Sequence, residues 1–340
     1  MASNSNETST VDNNNTMINT EVIQLWAMIL VNIVSILCSF FHFYHLMSKR
    51  PLREALNNHP MIVLICTIFF IQLIDVPFYI NYLRLGYVWP ETSLFCIIWW
   101  NIDTVSFEIT LFVIAEASLS RYILIFHEKL LSTRKKRLFF HYIPLMIFIL
   151  YPIVFYLLVE TLITYAQPYP YDYTQPWCDY DPAYMYNSIF HKWQLVVNQI
   201  GPTLISLISD VVLILRVIHH KHIRLRQPIV WKKHRKMTIQ LLSISIFCSS
   251  FNTPILIYNL LWFFKLLPSM DYNYNLQTIF YFVSYFSMLF LPCVMILSLP
   301  KKYWWEKWWI KFFGRQQRQR QITPMMIPKQ KTIEQPKNKI

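Results

Sequence analysis

The sequence predicts an all-α membrane protein, a seven-transmembrane helix bundle with an amphipathic eighth helix. Hydrophobic residues make up 55% of its 340 residues and charged residues only 14%, whereas soluble domains carry about 25% charged residues. Only three glycines are present. The nucleotide-binding and hydrolase motifs GxGxxG, GxxxxGK[ST], HExxH and GxSxG are missing, as is CxxC. Because such motifs depend on glycine or fixed catalytic residues, neither an enzyme nor a bound cofactor or metal is expected.

Seven long apolar stretches support this fold class, because a membrane helix needs about 20 mostly apolar residues. They cover residues 22–47, 57–83, 93–126, 139–163, 188–215, 237–264 and 275–299. These stretches are too long and too apolar for the buried helices of a soluble protein. The third also contains Asp103, Glu108, Glu116 and Arg121. Ionisable residues inside a span are costly and indicate a functional role.

The distribution of Lys and Arg predicts the orientation. These residues concentrate after the first, third and fifth spans and in the tail, whereas the opposite loops hold only Arg84, Lys192 and Lys265. The basic side is therefore expected to be cytoplasmic, with the N-terminus outside the plasma membrane. The net charge of +13 is then explained by topology and by anionic inner-leaflet lipids, and no nucleic-acid partner is expected.

Four regions follow along the chain. They are a glycosylated extracellular N-terminus (1–21), the transmembrane domain (22–299), an amphipathic interfacial helix (300–313) and a disordered basic cytoplasmic tail (314–340). Asn6 and Asn14 begin N-x-[ST] sequons, which predict glycosylation on a lumenal or extracellular side. In the segment 300–313, pairs of Trp or Phe residues recur at intervals of four residues, with lysines between them. This pattern is typical of helices that lie in the membrane interface.

Two cysteines fall on the predicted outer side. Cys96 opens the third span and Cys178 lies in the loop before the fifth. An oxidising exterior favours a disulfide between them. Such a bond would hold the loop 164–187 over the helices.

With these features the chain resembles the rhodopsin-like G-protein-coupled receptors. Members of that family end their third helix with Asp/Glu-Arg-Tyr, and here Ser120-Arg121-Tyr122 stands at that position. Arg121 follows Cys96 by 25 residues (96 to 121), or about 37 Å of helix. The resemblance implies that Arg121 and Tyr122 contact a heterotrimeric G protein. The prolines that match the family's helix kinks are Pro202, Pro254 and Pro292.

Several positions depart from the family pattern. Ser120 replaces the acid before Arg121, and Thr67 stands where a sodium-binding Asp is expected, so no typical sodium site is predicted. A buried cation needs a partner. We expect that partner to be Asp210, which lies eight residues beyond Pro202, about 12 Å deeper in the helix. The alternative is that Asp210 faces a wet cytoplasmic vestibule.

The outer half contains the candidate ligand site. Asp103 lies two helical turns inward of Cys96, where biogenic-amine receptors bind the ligand ammonium, and Tyr285 matches a tyrosine that supports that acid. Two alternatives remain: Asp103 is a structural acid bonded to Tyr285 or Asn198, or the ligand is a peptide attracted by the acidic, aromatic loop 164–187. Other candidate ligand-binding residues are Gln194, Asn198 and Asn252.

Four further acids complete the prediction. Asp75 and Glu160 lie near the outer membrane boundary and are expected to be solvated. Glu108 and Glu116 could line the interior or face a neighbouring helix. The expected function is that of a receptor transducing an extracellular ligand, either a cationic small molecule or a peptide, to G proteins. The alternatives are a seven-helix scaffold that does not couple and a transporter.

Overall fold

Seven long helices form most of the computed structural model, which describes residues 5–48, 50–164, 171–179, 188–223, 228–264 and 274–297. They are α1 (Ser5–Ser48), α2 (His59–Leu85), α3 (Ser93–Phe126), α4 (134–164), α5 (188–223), α6 (Pro228–Phe263) and α7 (Tyr274–Leu297). Each contains a stretch long and apolar enough to cross a membrane. The seven predicted spans are therefore confirmed.

Helix boundaries follow local chemistry. The Thr92 side chain accepts a hydrogen bond from the backbone N–H of Phe95 and caps the start of α3, which satisfies an unpaired donor of the first turn. At the end of α2, Gly86 adopts a φ of 75° and its N–H bonds to the carbonyl of Tyr82. A left-handed glycine after the last turn is a frequent helix stop because it has no Cβ to clash.

Two helices begin earlier than the sequence predicts. α1 starts at Ser5 and so includes the sequon residues Asn6 and Asn14, whose glycosylation stays a prediction. α6 starts at Pro228 rather than at residue 237. The predicted amphipathic helix and the predicted tail lie outside the described residues.

α3 lies at the centre of the bundle. It packs against α2, α4, α5 and α6, and every residue from 109 to 118 is buried. α7 packs against α6 and α1 and closes the other side of the bundle. Ionisable side chains on the inner part of α3 therefore face protein on all sides.

Three segments of wider, π-helical turn interrupt the described helices. They are Ile71–Asp75 in α2, Leu138–Tyr142 in α4 and Gln194–Ile200 in α5. Each carries polar side chains that are buried: Gln72, Asp75, His141, Gln194 and Asn198. π-helical turns are rare and occur often at functional sites.

The two halves of the bundle have different cores. The end that contains Cys96, here named the Cys96 end, has an aromatic core around Trp99, Trp177 and Tyr285. The opposite end, named the Arg121 end, has an aliphatic core that includes Leu64 and Val113. The aromatic core supplies flat faces and polar tips, and the candidate ligand site lies there.

Candidate functional site

A short loop folds over the Cys96 end. The structure contains the predicted Cys96–Cys178 disulfide, with 5.8 Å between the two Cα atoms. The backbone N–H of Val88 also donates to the carbonyl of Tyr173 at 2.7 Å, which ties the loop to the segment between α2 and α3. Within the loop, the N–H and hydroxyl of Thr174 donate to Asp172 at 2.9 and 2.7 Å. These bonds lower the pKa of the exposed Asp172 carboxyl.

Trp177 is held in a strained backbone conformation. Its φ is 53°, and those of Cys178 and Asp179 are 61° and 48°. Left-handed values are uncommon for residues other than glycine because Cβ approaches the carbonyl oxygen. The disulfide and the loop hydrogen bonds hold this turn in place.

The Trp177 ring packs down onto the helices. Its centroid lies 6.0 Å from that of Trp99, 5.7 Å from that of Tyr281 and 6.4 Å from that of Tyr285. The Trp177 and Tyr285 rings are nearly parallel, at 14°. Trp177 is therefore a roof residue for the space between the helices.

A cavity lies beneath this roof, between α2, α3, α5, α6 and α7. The volume open to the centre of a water-sized sphere is about 80 Å³, and the space continues into solvent. Its lining includes Asp75, Trp100, Asp103, Phe107, Trp177, Gln194, Asn252, Asn259, Tyr281 and Tyr285. Among the described lining residues there is no Lys, Arg or His. The polar groups are thus acidic or neutral, and the remaining wall is largely aromatic and aliphatic.

Four of the predicted ligand-binding residues line this cavity: Asp103, Tyr285, Gln194 and Asn252. The Tyr285 hydroxyl donates to Asp103 Oδ1 at 2.7 Å, which is the bond expected of a structural acid and is equally compatible with an acid that receives a ligand.

Asp75 corrects one prediction. The sequence placed it at the membrane boundary in solvent, but its side chain is fully buried and lines the cavity. The indole N–H of Trp99 donates to Asp75 Oδ1 at 2.9 Å. The π-helical turn that ends at Asp75 changes the direction of α2, and the simple helical count of the sequence does not include that change.

Asn198 corrects another prediction, because it does not line the cavity. Its Oδ1 accepts a hydrogen bond from the Tyr151 hydroxyl at 2.8 Å, and Tyr151 in turn accepts from the indole of Trp193 at 2.7 Å. Asn198 also faces the carboxyl of Glu108, to which the Tyr156 hydroxyl donates. This chain links α3, α4 and α5, so Glu108 serves helix packing.

A second polar cluster occupies the Arg121 end. His141 of α4 is fully buried. Its Nδ1 lies 3.0 Å from Ser120 Oγ and 3.4 Å from Glu116 Oε1, and its Nε2 lies 3.3 Å from Nδ1 of His59. Ser120, which stands where the family has an acid, therefore contacts a histidine.

Arg121 and Asp210, the predicted ion pair, are both buried at the Arg121 end, with 1% and 4% of their surface exposed. Asp210 and Glu116 are the acids whose charges act on the guanidinium. Ser118 and Ser245 face the Asp210 carboxylate. The direct ion pair between Arg121 and Asp210 stays a prediction.

Tyr122 contacts α5. Arg216 donates to its hydroxyl at 2.5 Å, and the guanidinium carbon lies 5.2 Å from the Tyr122 ring and 4.9 Å from the Phe126 ring. The two predicted coupling residues thus differ: Arg121 is buried among helices, and Tyr122 joins α3 to α5 near the surface.

Comparison with known families agrees with this geometry. The chain matches the 7 transmembrane receptor (rhodopsin family) over residues 43–295, which spans most of the helical bundle. The protein belongs to the rhodopsin family of seven-transmembrane receptors. A comparison with curated proteins finds no match.

Within this family the receptor has an altered polar centre. Thr67, which replaces the sodium-site acid, donates its hydroxyl to the carbonyl of Val63 in its own helix. Gln72 Nε2 donates to Ser35 at 2.5 Å, and Asn32 Nδ2 donates to the Gln72 carbonyl at 3.3 Å. Neutral amides and hydroxyls thus join α1 to α2 at this level.

Several cavity residues of the receptor are missed by sequence reasoning. Asp75 and Trp177 are the main ones, and Thr104, Gln199 and Asn259 also line the space. For Asp75, the available signal was that it is the only acid in the apolar stretch 57–83. For Trp177, its position beside Cys178 was the only indication.

Proposed function

We propose that the receptor binds an extracellular ligand in the cavity at its Cys96 end and passes the signal to a heterotrimeric G protein at its Arg121 end. The observation that carries this proposal is the placement of both features along one helix. α3 contributes Asp103 to the cavity and Arg121 to the buried polar cluster at its other end.

The orientation of this proposal rests on charge. The loops and tail predicted to be cytoplasmic hold nearly all Lys and Arg outside the spans, in line with the positive-inside rule. The Cys96 end would then be extracellular in the plasma membrane, which suits a disulfide. The basic segments at the other end would meet anionic lipids and the G protein.

The ligand would be a cationic small molecule or a peptide with a cationic group. The cavity holds two carboxylates, and no cation is among its described lining residues. A ligand that brings the missing charge would gain from both the acids and the aromatic walls. Ligand binding would shift an equilibrium between two packings of the helices.

G-protein activation in transfected cells tests this function. Wild type, Arg121→Ala and the control Arg84→Ala are compared at matched surface levels, both without ligand and across a ligand set. Arg84 is a suitable control because its guanidinium donates to nearby Asn81 at 3.0 Å and it lies in the last turn of α2, at the Cys96 end of the bundle. The proposal expects signal from wild type and Arg84→Ala and its loss in Arg121→Ala. Equal signal from all three proteins contradicts the assigned role of Arg121.

A scaffold that does not couple is the second candidate. It is favoured by Ser120, which bonds to His141 instead of supplying an acid beside Arg121. Absence of signal from wild type across the main G-protein classes, with normal surface expression, would favour this candidate.

A further inference from the structure

The buried carboxyl of Asp75 is only half satisfied. Its Oδ1 accepts from Trp99, whereas its Oδ2 has no partner at hydrogen-bond distance among the described residues. The groups that face it are the Asp103 carboxyl and the Tyr285 hydroxyl. A buried carboxylate oxygen without a donor is unfavourable, so this oxygen is available for a donor on a ligand.

The carboxyls of Asp75 and Asp103 thus lie against each other, and the Tyr285 phenol neighbours both. Tyr285 donates to Asp103 and has only one hydroxyl hydrogen to give. No Lys, Arg or His is among the described residues around the cavity to balance the pair. Two acids in one buried site disfavour each other's charge unless a cation or a proton lies between them. Without a ligand, a proton shared by the two carboxyls meets this requirement, and a cationic group brought by a ligand would replace that proton.

The aromatic walls favour a flat cation. Trp177 and Tyr285 present nearly parallel rings at the roof of the cavity, and Tyr79 stacks behind Tyr285 at 5.3 Å and 25°. A planar guanidinium or amidinium can lie against such a ring while its N–H groups fork toward carboxylates. A primary ammonium is a compact point charge that lacks this planar fork.

We propose that Asp75 and Asp103 form a two-carboxylate subsite for a planar guanidinium or amidinium group of the ligand. This inference rests on the proposed function in that the cavity receives the ligand, and it adds the class of cation and the second acid. Each carboxyl accepts from a different edge of the cation, and Tyr285 fixes the orientation of Asp103.

The opposite wall indicates what the other end of the ligand carries. Asn252 Oδ1 accepts hydrogen bonds from Ser284 at 2.6 Å and from Ser287 at 3.3 Å. This fixes the amide so that its Nδ2 donors are left without a partner in the described structure. Asn252 is 5% exposed and lines the cavity. A ligand with an acceptor oxygen at its far end, separated from the cation by an apolar body, fits both walls.

Three probes with the same phenylethyl body test the cation class in purified full-length receptor: 2-phenylethylguanidine, 2-phenylethylurea and 2-phenylethylamine. The urea keeps the planar donors without the charge, and the amine keeps the charge without the plane. Affinities are measured from the concentration dependence of thermal unfolding in detergent, because a ligand that binds only the folded state raises Tm. We expect the guanidine to bind about tenfold or more tightly than either relative, as two charge-assisted bonds imply.

Two variants assign the acids. Asp75→Asn should weaken guanidine binding about tenfold and amine binding much less, because the amine needs only Asp103; Asp103→Asn should weaken both. In Asp75→Asn the introduced side chain keeps an oxygen that can accept the hydrogen bond from the Trp99 indole, which favours correct folding of the variant. If wild type binds the amine and the guanidine with equal affinity, or binds none of the probes, the inference is overturned. This comparison uses wild type alone, so it does not depend on the folding of a variant. This readout involves no G protein, so its failure is separate from a failure of coupling.

Discussion

Removing one hydroxyl should measurably loosen the contact between α3 and α4. Tyr156 and Glu108 are both fully buried, and the Tyr156 hydroxyl donates to Glu108 Oε1. Glu108 Oε2 already lacks a partner in the described structure. Tyr156→Phe therefore leaves the whole carboxyl without this donor, in a place where water cannot replace it.

The size of the effect follows from that burial. Hydrogen bonds between membrane helices average about 0.6 kcal/mol and reach about 1.7 kcal/mol, while bonds to charged groups in proteins contribute about 1.5–3 kcal/mol. Because a carboxyl accepts this bond inside the bundle, we expect the upper end of the membrane range, about 1.5 kcal/mol. At an unfolding entropy of about 2.1 cal/mol/K per residue, that loss lowers Tm by about 2–3 °C in a protein of this size.

Thermal unfolding of purified receptor in detergent provides the assay. Tyr151→Phe on the same helix removes two bonds between neutral groups, one donated to Asn198 at 2.8 Å and one accepted from Trp193 at 2.7 Å, so it should cost about 1.2 kcal/mol, at about 0.6 kcal/mol for each bond. Tyr44→Phe, on the exposed face of α1, should leave Tm unchanged. A double-mutant cycle with Glu108→Met isolates the pair. Additive effects of the two substitutions, within about 0.3 kcal/mol, would refute this account of Glu108.

Four further outcomes are expected. His141→Ala removes the contacts to Ser120 and Glu116 and should change basal G-protein activation about twofold to tenfold; equal activation at matched surface levels would count against a switching role. Arg216→Gln removes the cation over Tyr122 and Phe126 and should cost about 1 kcal/mol in thermal unfolding, whereas an unshifted Tm would show that this contact is dispensable. Cys178→Ser should raise hydrogen exchange at the amides of 171–179, since the disulfide holds that strained loop; unchanged exchange would mean that the hydrogen bonds suffice. The bonds from Thr174 lower the pKa of Asp172, so their stabilisation is present above the ordinary pKa of the carboxyl and is lost as pH falls through the lowered one; Thr174→Val should move the carboxyl titration, followed by ¹³C NMR, to higher pH.

Much of the fold could be read from the sequence because it depends on patterns that are local and strong. The seven apolar stretches predicted seven spans, and the predicted bounds of the third match α3 (Ser93–Phe126). The Cys96–Cys178 disulfide also followed from the side on which both cysteines fall. Hydropathy reports such features because each span must satisfy the membrane by itself.

The site was predicted less completely, because its geometry depends on turns that hydropathy does not report. Asp103, Tyr285, Gln194 and Asn252, predicted as ligand-binding residues, line the cavity, and their binding of a ligand stays a prediction. Asn198 does not line it, because its amide is used between α4 and α5. Counting at an ideal helical repeat fails wherever a π-helical turn adds a residue.

The polar cluster at the Arg121 end illustrates a different limit. An acid for Arg121 was sought by depth along α5, which led to Asp210. Depth along a helix does not report which way a side chain points around the helix axis. In the structure Glu116, which lies on α3 with Arg121, also acts on the guanidinium. His141 gave no signal in sequence, because its role depends on the tertiary packing of α4 against α3.

The π-helical turn in α2 also affects how the cavity can change during evolution. One residue advances an α-helix by about 100°, so losing a single residue between 71 and 75 would swing everything beyond it away from the cavity. The inner part of α2, with its buried Leu64, Ile65 and Ile68, would keep its place. Insertions and deletions at this turn could therefore alter ligand preference without disturbing the Arg121 end. If a related sequence lacks one residue of this turn, an alignment without a gap there would pair Asp75 with a residue that does not face the cavity.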